Sequence, residues 1–317
     1  MIDSINFIVR NVENIEFQRF KENHIRYKRF ENNINNFGSV GYSFEYKGVE
    51  FKYYKSFKII LVIANAHKVL EKRDILLSDL STYKERLKEI VKTALGTETI
   101  KLELNRIDYC VDLKLDEKMK IYLELLKFHR PKYKYMRMEK FYSTSKYLKT
   151  KNGKNNINIY NRYSCTENEE DKGILRIEVQ NKKKKIKSEF DKYGIDKDID
   201  NYWTKEAMEE YYFDFLKNYL YTGDYLKKQM AYEKINKSDN KPKQISNLKK
   251  FLRDVEQGTM YDIFNSKEYG NTKINNYIKK LENLNINPIP IPDIYFYDEL
   301  PSLYTLARKT AEEKYFE

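Results

Sequence analysis

Residues 106–112 read Arg-Ile-Asp-Tyr-Cys-Val-Asp, and two later stretches share the alternation: Asn156-Ile-Asn158-Ile-Tyr160 and Leu175-Arg176-Ile-Glu178-Val-Gln180. A strand sends successive side chains to opposite faces, so a period of two predicts three β-strands. They bury Ile107, Tyr109, Val111, Ile157, Ile159, Leu175, Ile177 and Val179. The opposite face carries two Arg/acid pairs, Arg106 with Asp108 and Arg176 with Glu178, a further acid, Asp112, and Tyr160. A solvated sheet face tolerates such residues. Carboxylates also hold hard divalent cations, and a tyrosine beside such a cation can attack a phosphodiester.

Around these strands, residues 2–10 read as another strand. Residues 37–64 read as a hairpin or meander with turns near Lys47-Gly48 and Lys55-Ser56. Residues 78–95 have helical spacing, with Ser78 or Asp79 at the start, Leu80, Tyr83, Leu87, Ile90, Val91 and Leu95 on one face, and Gly96 at the stop. A strand over about 100–113 and a helix over 116–128 follow. Residues 133–143 look extended, 151–155 form a turn, 163–173 form an acidic loop, and 203–220 form a helix. The composition of 234–247 is that of a linker. Helices are expected over 246–257 and 271–286, the second with Ile274, Tyr277, Ile278, Leu281 and Leu284 as its apolar stripe, before Pro288, Pro290 and Pro292. These readings predict an α+β fold: an antiparallel sheet with helices on one face and the functional site on the other, plus a helical tail. The domain division is 1–234, a linker at 235–245, and 246–317. The tail reads equally as a helix-turn-helix unit or as helices packed on the main domain.

The chain has 317 residues, 41% hydrophobic and 15% aromatic, enough for a substantial core. Its formal charge of +12 and its 29 tyrosines suit a nucleic-acid partner, where rings stack on bases and cations meet phosphates. The same Lys/Asn/Ile/Tyr bias is what an A·T-rich genome encodes. Cys110 and Cys165 give neither a disulfide framework nor zinc spacing. His24, His67 and His129 are too scattered for a histidine ligand pair, so any metal is expected on oxygen ligands. The start of the chain lacks the basic head and apolar core of a signal peptide, and no stretch reaches the roughly 18 apolar residues of a membrane span. The expected location is cytoplasmic.

The segments RIDYCVD (106–112), INIYNR (157–162) and ILRIEV (174–179), in that order, resemble the rolling-circle replication initiators. Two groups are similar: the filamentous-phage gene II/X replication endonucleases and the replication-initiation-factor family of plasmids. The MID start, the ANAHKVL segment (64–70), the lysine-rich run leading to YGI and the NPIPIP tail favour the gene II/X group. The resemblance implies that Tyr160, in Ile159-Tyr160-Asn161-Arg162, is the DNA-attacking nucleophile, with Asp108 and Glu178 near the divalent metal. Asp112, a further candidate ligand, matches an acid found in the plasmid group but not throughout the phage group. The strand before ANAHKVL reads IILVIA, without the carboxylate that relatives often carry there, which leaves the metal shell incomplete.

The implied reaction is transesterification: tyrosine attacks phosphorus, a 5′-phosphotyrosine forms, and a 3′-hydroxyl is released. Mg²⁺ or Mn²⁺ would polarise the phosphate. Arg106 and Arg176 either orient their acids or contact the scissile phosphate. Arg162, Lys68, Lys182, Lys183, Lys184 and Lys185 are candidate DNA contacts, although a lysine run is also an ordinary solvated face. Tyr163 is the fallback nucleophile, and His67 is read as structural. The expected partner is origin DNA, single-stranded or supercoiled, with a host helicase and polymerase and a homodimer as further partners. The alternatives are a conjugative relaxase, a non-catalytic DNA-binding regulator and, more remotely, an RNA-binding protein.

Overall fold

The computed structural model describes residues 1–10, 28–34, 37–96, 100–130, 136–142, 145–150 and 152–316. Among the described residues, ten strands form one sheet: β1 (Ile2–Arg10), β2 (Lys28–Ile34), β3 (Phe37–Tyr46), β4 (Val49–Tyr54), β5 (Ile59–Asn65), β6 (Glu103–Lys114), β7 (Met136–Tyr142), β8 (Ser145–Thr150), β9 (Asn155–Asn161) and β10 (Ile174–Asn181). Their spatial order is β2-β3-β4-β5-β1-β6-β10-β9-β8-β7. Every neighbouring pair in this order is antiparallel. The β3–β4 hairpin turns on Lys47 and Gly48, with φ of 45° and 75°. Positive φ at both central residues matches the twist of the flanking strands, which glycine accepts at no steric cost.

The helices are α1 (Ala66–Leu70), α2 (Leu80–Leu95), α3 (Met119–Phe128), α4 (Tyr163–Thr166), α5 (Lys183–Tyr193), α6 (Lys205–Met208), α7 (Phe215–Lys217), α8 (Lys228–Asn236), α9 (Pro242–Gln257), α10 (Met260–Asn265), α11 (Asn271–Asn283) and α12 (Leu303–Lys314). A short two-stranded sheet, β11 (Tyr225–Leu226) with β12 (Glu299–Leu300), pins the tail. The α+β class is as expected. All eight apolar residues assigned to the core face of β6, β9 and β10 are buried. Tyr109 donates to the Tyr202 carbonyl at 2.5 Å and Tyr212 to the Ile177 carbonyl at 3.0 Å, tying the helical layer to that face.

Three boundaries differ from the sequence reading. The helix expected over 203–220 runs from 205 to 217, with a π-helical stretch at Glu209–Asp214 between α6 and α7. Most of the expected linker 235–245 is helical: α8 ends at Asn236, and α9 starts at Pro242, whose missing N–H and fixed φ suit a first helical turn. The acidic segment 163–173 holds α4 and a 3-10 turn at Glu169–Asp171. Expected features at His24, 133–135, 143 and 151 lie outside the described residues.

Candidate active site

Register decides which side chains meet. On β10, Arg176, Glu178 and Gln180 lie opposite Asp112, Cys110 and Asp108 of β6, and opposite Tyr160, Asn158 and Asn156 of β9. The polar residues singled out by alternation therefore form a grid on one face. They are not solvent-facing: Asp108, Arg176 and Glu178 are 1%, 4% and 5% exposed. Buried charges persist only when paired or hydrogen-bonded: Asp108 and Arg176 are ion-paired, and Glu178 is held by neutral donors.

Arg106 holds Asp108 through two bonds, Nε to Oδ1 at 2.7 Å and Nη2 to Oδ2 at 2.5 Å. Arg176 spends all three nitrogens: Nε and Nη2 grip Asp112 at 2.7 and 2.8 Å, and Nη1 reaches Asp3 Oδ1 at 2.6 Å. Arg162 also binds Asp112 and lies 3.2 Å from Asp171. Asp171 is in turn bound by Arg73 at 2.9 Å. Two guanidinium groups hold the Asp112 carboxyl below its usual range despite burial. Burial pushes the Asp108 and Glu178 carboxyls upward, opposed by neighbouring arginines.

Tyr160 stands beside this network. Its hydroxyl donates to Glu178 Oε2 at 3.4 Å. The other carboxylate oxygen, Oε1, accepts from Asn158 Nδ2 at 3.1 Å and Gln180 Nε2 at 2.6 Å, which fixes the carboxylate's orientation. Burial, followed by the charge of Glu178, pushes the phenol above its ordinary value of 10.0. Such a phenol is a weak nucleophile at rest and needs a proton acceptor as it reacts. Glu178 Oε2 is the acceptor that the Tyr160 hydroxyl faces.

Asp3, Asn158 and Gln180 join the site without having been assigned roles from sequence. Asp3 arrives through a β-bulge. Ile2 pairs with Tyr109 and Ile5 with Ile107, so β1 has one residue more than β6 across this interval. The extra residue turns Asp3 onto the polar face although Ile5, two positions on, faces the core. His67 sits beside it: Nε2 is 3.7 Å from Asp3 Oδ1, and Nδ1 lies 3.1 Å from the Lys72 carbonyl. Burial and Arg176 lower the His67 pKa.

Other candidates lie elsewhere. Lys68 is drawn outward to Glu45 at 3.6 Å. The lysine run starts four residues beyond Glu178; Lys183 and Lys184 are exposed, whereas Lys185 pairs with Glu189 at 2.7 Å. Tyr163 points its hydroxyl to Glu169 at 3.3 Å, away from the acids. Cys110 is a buried thiol pushed up to about 12, and Cys165 is exposed.

Among the described residues, no three His, Cys, Asp or Glu side chains converge tightly enough to hold a cation alone. Asp112 is committed to Arg176 and Arg162. Asp108 and Glu178 fit the oxygen chemistry of Mg²⁺ or Mn²⁺ better, since Mg²⁺ commonly takes one or two carboxylates and completes its shell with substrate phosphate and water. An ionised carboxylate offers about four acceptor positions; Asp108 uses two on Arg106, and Glu178 uses three on Asn158, Gln180 and Tyr160.

No protein-family model matches the sequence, and no curated protein matches it. Among solved structures, the chain is similar to a rolling circle replication initiator protein from Geobacillus stearothermophilus. The identity is 12% and the TM-score 0.40, over 69% of this chain and 84% of the other.

Proposed function

We propose that the protein is a DNA strand-nicking and strand-joining enzyme that initiates rolling-circle replication, with Tyr160 as nucleophile. The observation that carries this reading is the Tyr160 hydroxyl seated on a buried carboxylate that two amides orient. The order of the strand motifs supports it. In the proposed step, Tyr160 Oη attacks a backbone phosphorus while its proton passes to Glu178 Oε2. The P–O3′ bond breaks, and the departing oxygen takes a proton from solvent as the 5′-phosphotyrosine forms. Attack of a 3′-hydroxyl on that adduct rejoins DNA.

Arg106 is proposed to meet the phosphate: its side chain is 30% exposed, and Nη1 takes no part in the bonds to Asp108. Arg176, fully committed to Asp112 and Asp3, is a positioning residue. Asp108 and Glu178 would hold Mg²⁺ or Mn²⁺, which when bound polarises the phosphate. Lys182 to Lys184 are proposed to follow the DNA backbone, whereas Arg162 is held by Asp112 and Asp171 and Lys185 by Glu189. A conjugative relaxase would use the same chemistry.

The test uses a random-sequence single-stranded DNA pool with Mg²⁺ or Mn²⁺, and reads a covalent adduct that survives sodium dodecyl sulfate. The wild type should form it, and Tyr160→Phe should bind DNA without forming it. An undiminished adduct in that variant overturns the assignment. Binding with no adduct from the wild type would instead favour a regulator.

A further inference from the structure

Between α2, the C-terminal end of β1, the start of β6 and the segment after α5 lies a cavity of about 730 Å³. Phe7, Leu87, Leu102 and Ile199 are among its apolar walls, and Phe190, which also lines it, is 43% exposed. A second cavity of about 340 Å³ adjoins it, since Glu103 and Lys197 line both. The larger one is on the helical side of the sheet, where Phe7 stands opposite Leu104 and both are buried. The grid around Glu178 and Tyr160 occupies the other face. Along β1, Phe7 is four residues from Asp3, or about 13 Å at about 3.3 Å per residue.

Two buried polar atoms on residues of these walls lack a hydrogen-bond partner among the described residues. Tyr83 lines the larger cavity; its ring packs on Trp203 at 5.0 Å, but its hydroxyl donates to nothing. Asn105 lines the smaller one, and its Oδ1 accepts nothing. Asn6 pairs with Arg106 and Phe7 with Leu104, so Asn105 is the extra residue of a β-bulge. Buried polar groups in folded proteins are nearly all satisfied, and these orphans call for a partner from outside the chain. The charges of the two cavities also differ. Around the larger one, Lys84 is held by Asp200 at 2.7 Å, and Lys88, Lys101 and Lys197 are balanced by Glu85, Asp196 and Asp198. The smaller one is cationic: Lys183, Lys187 and Lys197 line it with Glu103 as the one acid, and Glu103 is already bound by Arg10 at 3.0 Å. Lys197 also lies 4.9 Å over the Phe190 ring, which joins the cationic and aromatic parts.

We propose that the joined cavities bind a free nucleoside phosphate, with the nucleobase in the larger cavity and the phosphate on Lys187 and Lys197. Small-molecule sites are concave, mostly apolar and carry a few convergent polar groups, within a size range of about 300–1,000 Å³. The apolar walls and the Phe190 ring suit a planar ring system. The Tyr83 hydroxyl is a donor for a ring nitrogen or carbonyl, Asn105 Oδ1 is an acceptor for a sugar hydroxyl, and ammonium groups meet phosphate. A purely apolar molecule leaves both orphans unpaired, and inorganic phosphate leaves the larger cavity unfilled. A nucleotide within a DNA strand has the same chemistry, but a strand that reaches Tyr160 runs over the opposite face, which favours the free molecule. The proposal does not depend on the nicking reading. Because β1 carries Phe7 to the cavity and Asp3 to Arg176, one strand connects the two sites.

The experiment is isothermal titration calorimetry of the full chain with each common ribonucleoside triphosphate, the matching nucleosides, inorganic triphosphate and a short random-sequence single-stranded DNA. At least one nucleotide should bind with Kd below about 100 μM, and its nucleoside and inorganic triphosphate at least about tenfold more weakly. Lys187→Ala/Lys197→Ala should weaken that nucleotide at least about tenfold and leave the nucleoside and the single-stranded DNA within about twofold. Tyr83→Phe keeps the ring and should weaken nucleotide and nucleoside alike, by about two- to tenfold. Its urea midpoint without nucleotide should not fall, because the lost hydroxyl has no partner to lose; circular dichroism checks the fold of the lysine variant. No binding by the wild type overturns the proposal, since solvent alone then fills the cavities. Equal affinity for inorganic triphosphate, which means surface charge only, overturns it too, as does unchanged nucleotide affinity in the lysine variant. A loss of single-stranded DNA affinity matching that of the nucleotide makes a strand nucleotide the occupant and overturns the free one.

Discussion

Glu178→Gln separates proton transfer from folding. Glutamine has nearly the size of glutamate, and its Oε1 can keep the bonds from Asn158 and Gln180 at 3.1 and 2.6 Å. Its amide nitrogen then replaces Oε2, the atom 3.4 Å from the Tyr160 hydroxyl. An amide N–H donates and cannot take the phenol's proton. The strand stays in register and the proposed nucleophile stays in place, but the proposed proton acceptor is gone. General-base assistance is worth about 10²- to 10⁴-fold, or about 3–5 kcal/mol of barrier. A phenol already raised by burial puts this site toward the larger loss. Stability should not fall, because the substitution removes a buried negative charge and retains its hydrogen bonds.

Single-turnover adduct formation at saturating single-stranded DNA is the assay, with urea unfolding in parallel. The expected result is a rate lower by about 10²- to 10⁴-fold, DNA affinity near that of the wild type, and an unfolding midpoint equal or higher. Raising Mn²⁺ tells the two roles of Glu178 apart. Lost proton acceptance is not restored by more metal, whereas a lost ligand is restored in part. A variant rate within a few-fold of wild type, or full recovery with Mn²⁺, refutes Glu178 as the proton acceptor.

Lys146, 1% exposed, donates to the carbonyls of Leu126 and His129 at 2.6 and 2.8 Å and closes the end of α3. Burial pulls its pKa from 10.5 down to about 7. Between those values the unfolded chain holds the extra proton, so stability should rise with pH through that window, and below about 7 the full cost of the buried charge applies. Lys146→Met should flatten this slope, read by urea unfolding at several pH values; parallel profiles for the two proteins would count against it. At Gly223, an added Cβ would lie 2.4 Å from the Ile286 carbonyl carbon, where the tail bridges Asp224 to Ile286. Gly223→Ala should therefore cost about 1–3 kcal/mol or more, and an unchanged urea midpoint would show that the tail is not docked this tightly.

Alternation was enough to find the site strands, because Ile107, Tyr109, Val111 and their counterparts on β9 and β10 specify one buried face whatever covers the other. It could not show that Asp108, Arg176 and Glu178 are buried as well, since a period of two separates the faces and is silent on what lies above each. Asp3 was hidden for a geometric reason: counting back from Phe7 and Ile5 lands it in the core, and only the extra residue of the bulge brings it to Arg176. Asn158 and Gln180 lay in the strands first recognised, yet amides have no charge by which to rank them, and their value comes from sharing one oxygen of Glu178. Lys68, next to His67 in sequence, is directed to Glu45 and not to the acids of the polar face. The chain Asp3–Arg176–Asp112–Arg162–Asp171–Arg73 joins residues from five separate segments, so it exists only after folding. Removing Arg176, buried and bound to both Asp3 and Asp112, would leave those carboxylates without their main partner at a cost of about 3–5 kcal/mol. The polar face is thus assembled as a unit, and Tyr160 borders it as the register partner of Arg176, a position that no single motif provides.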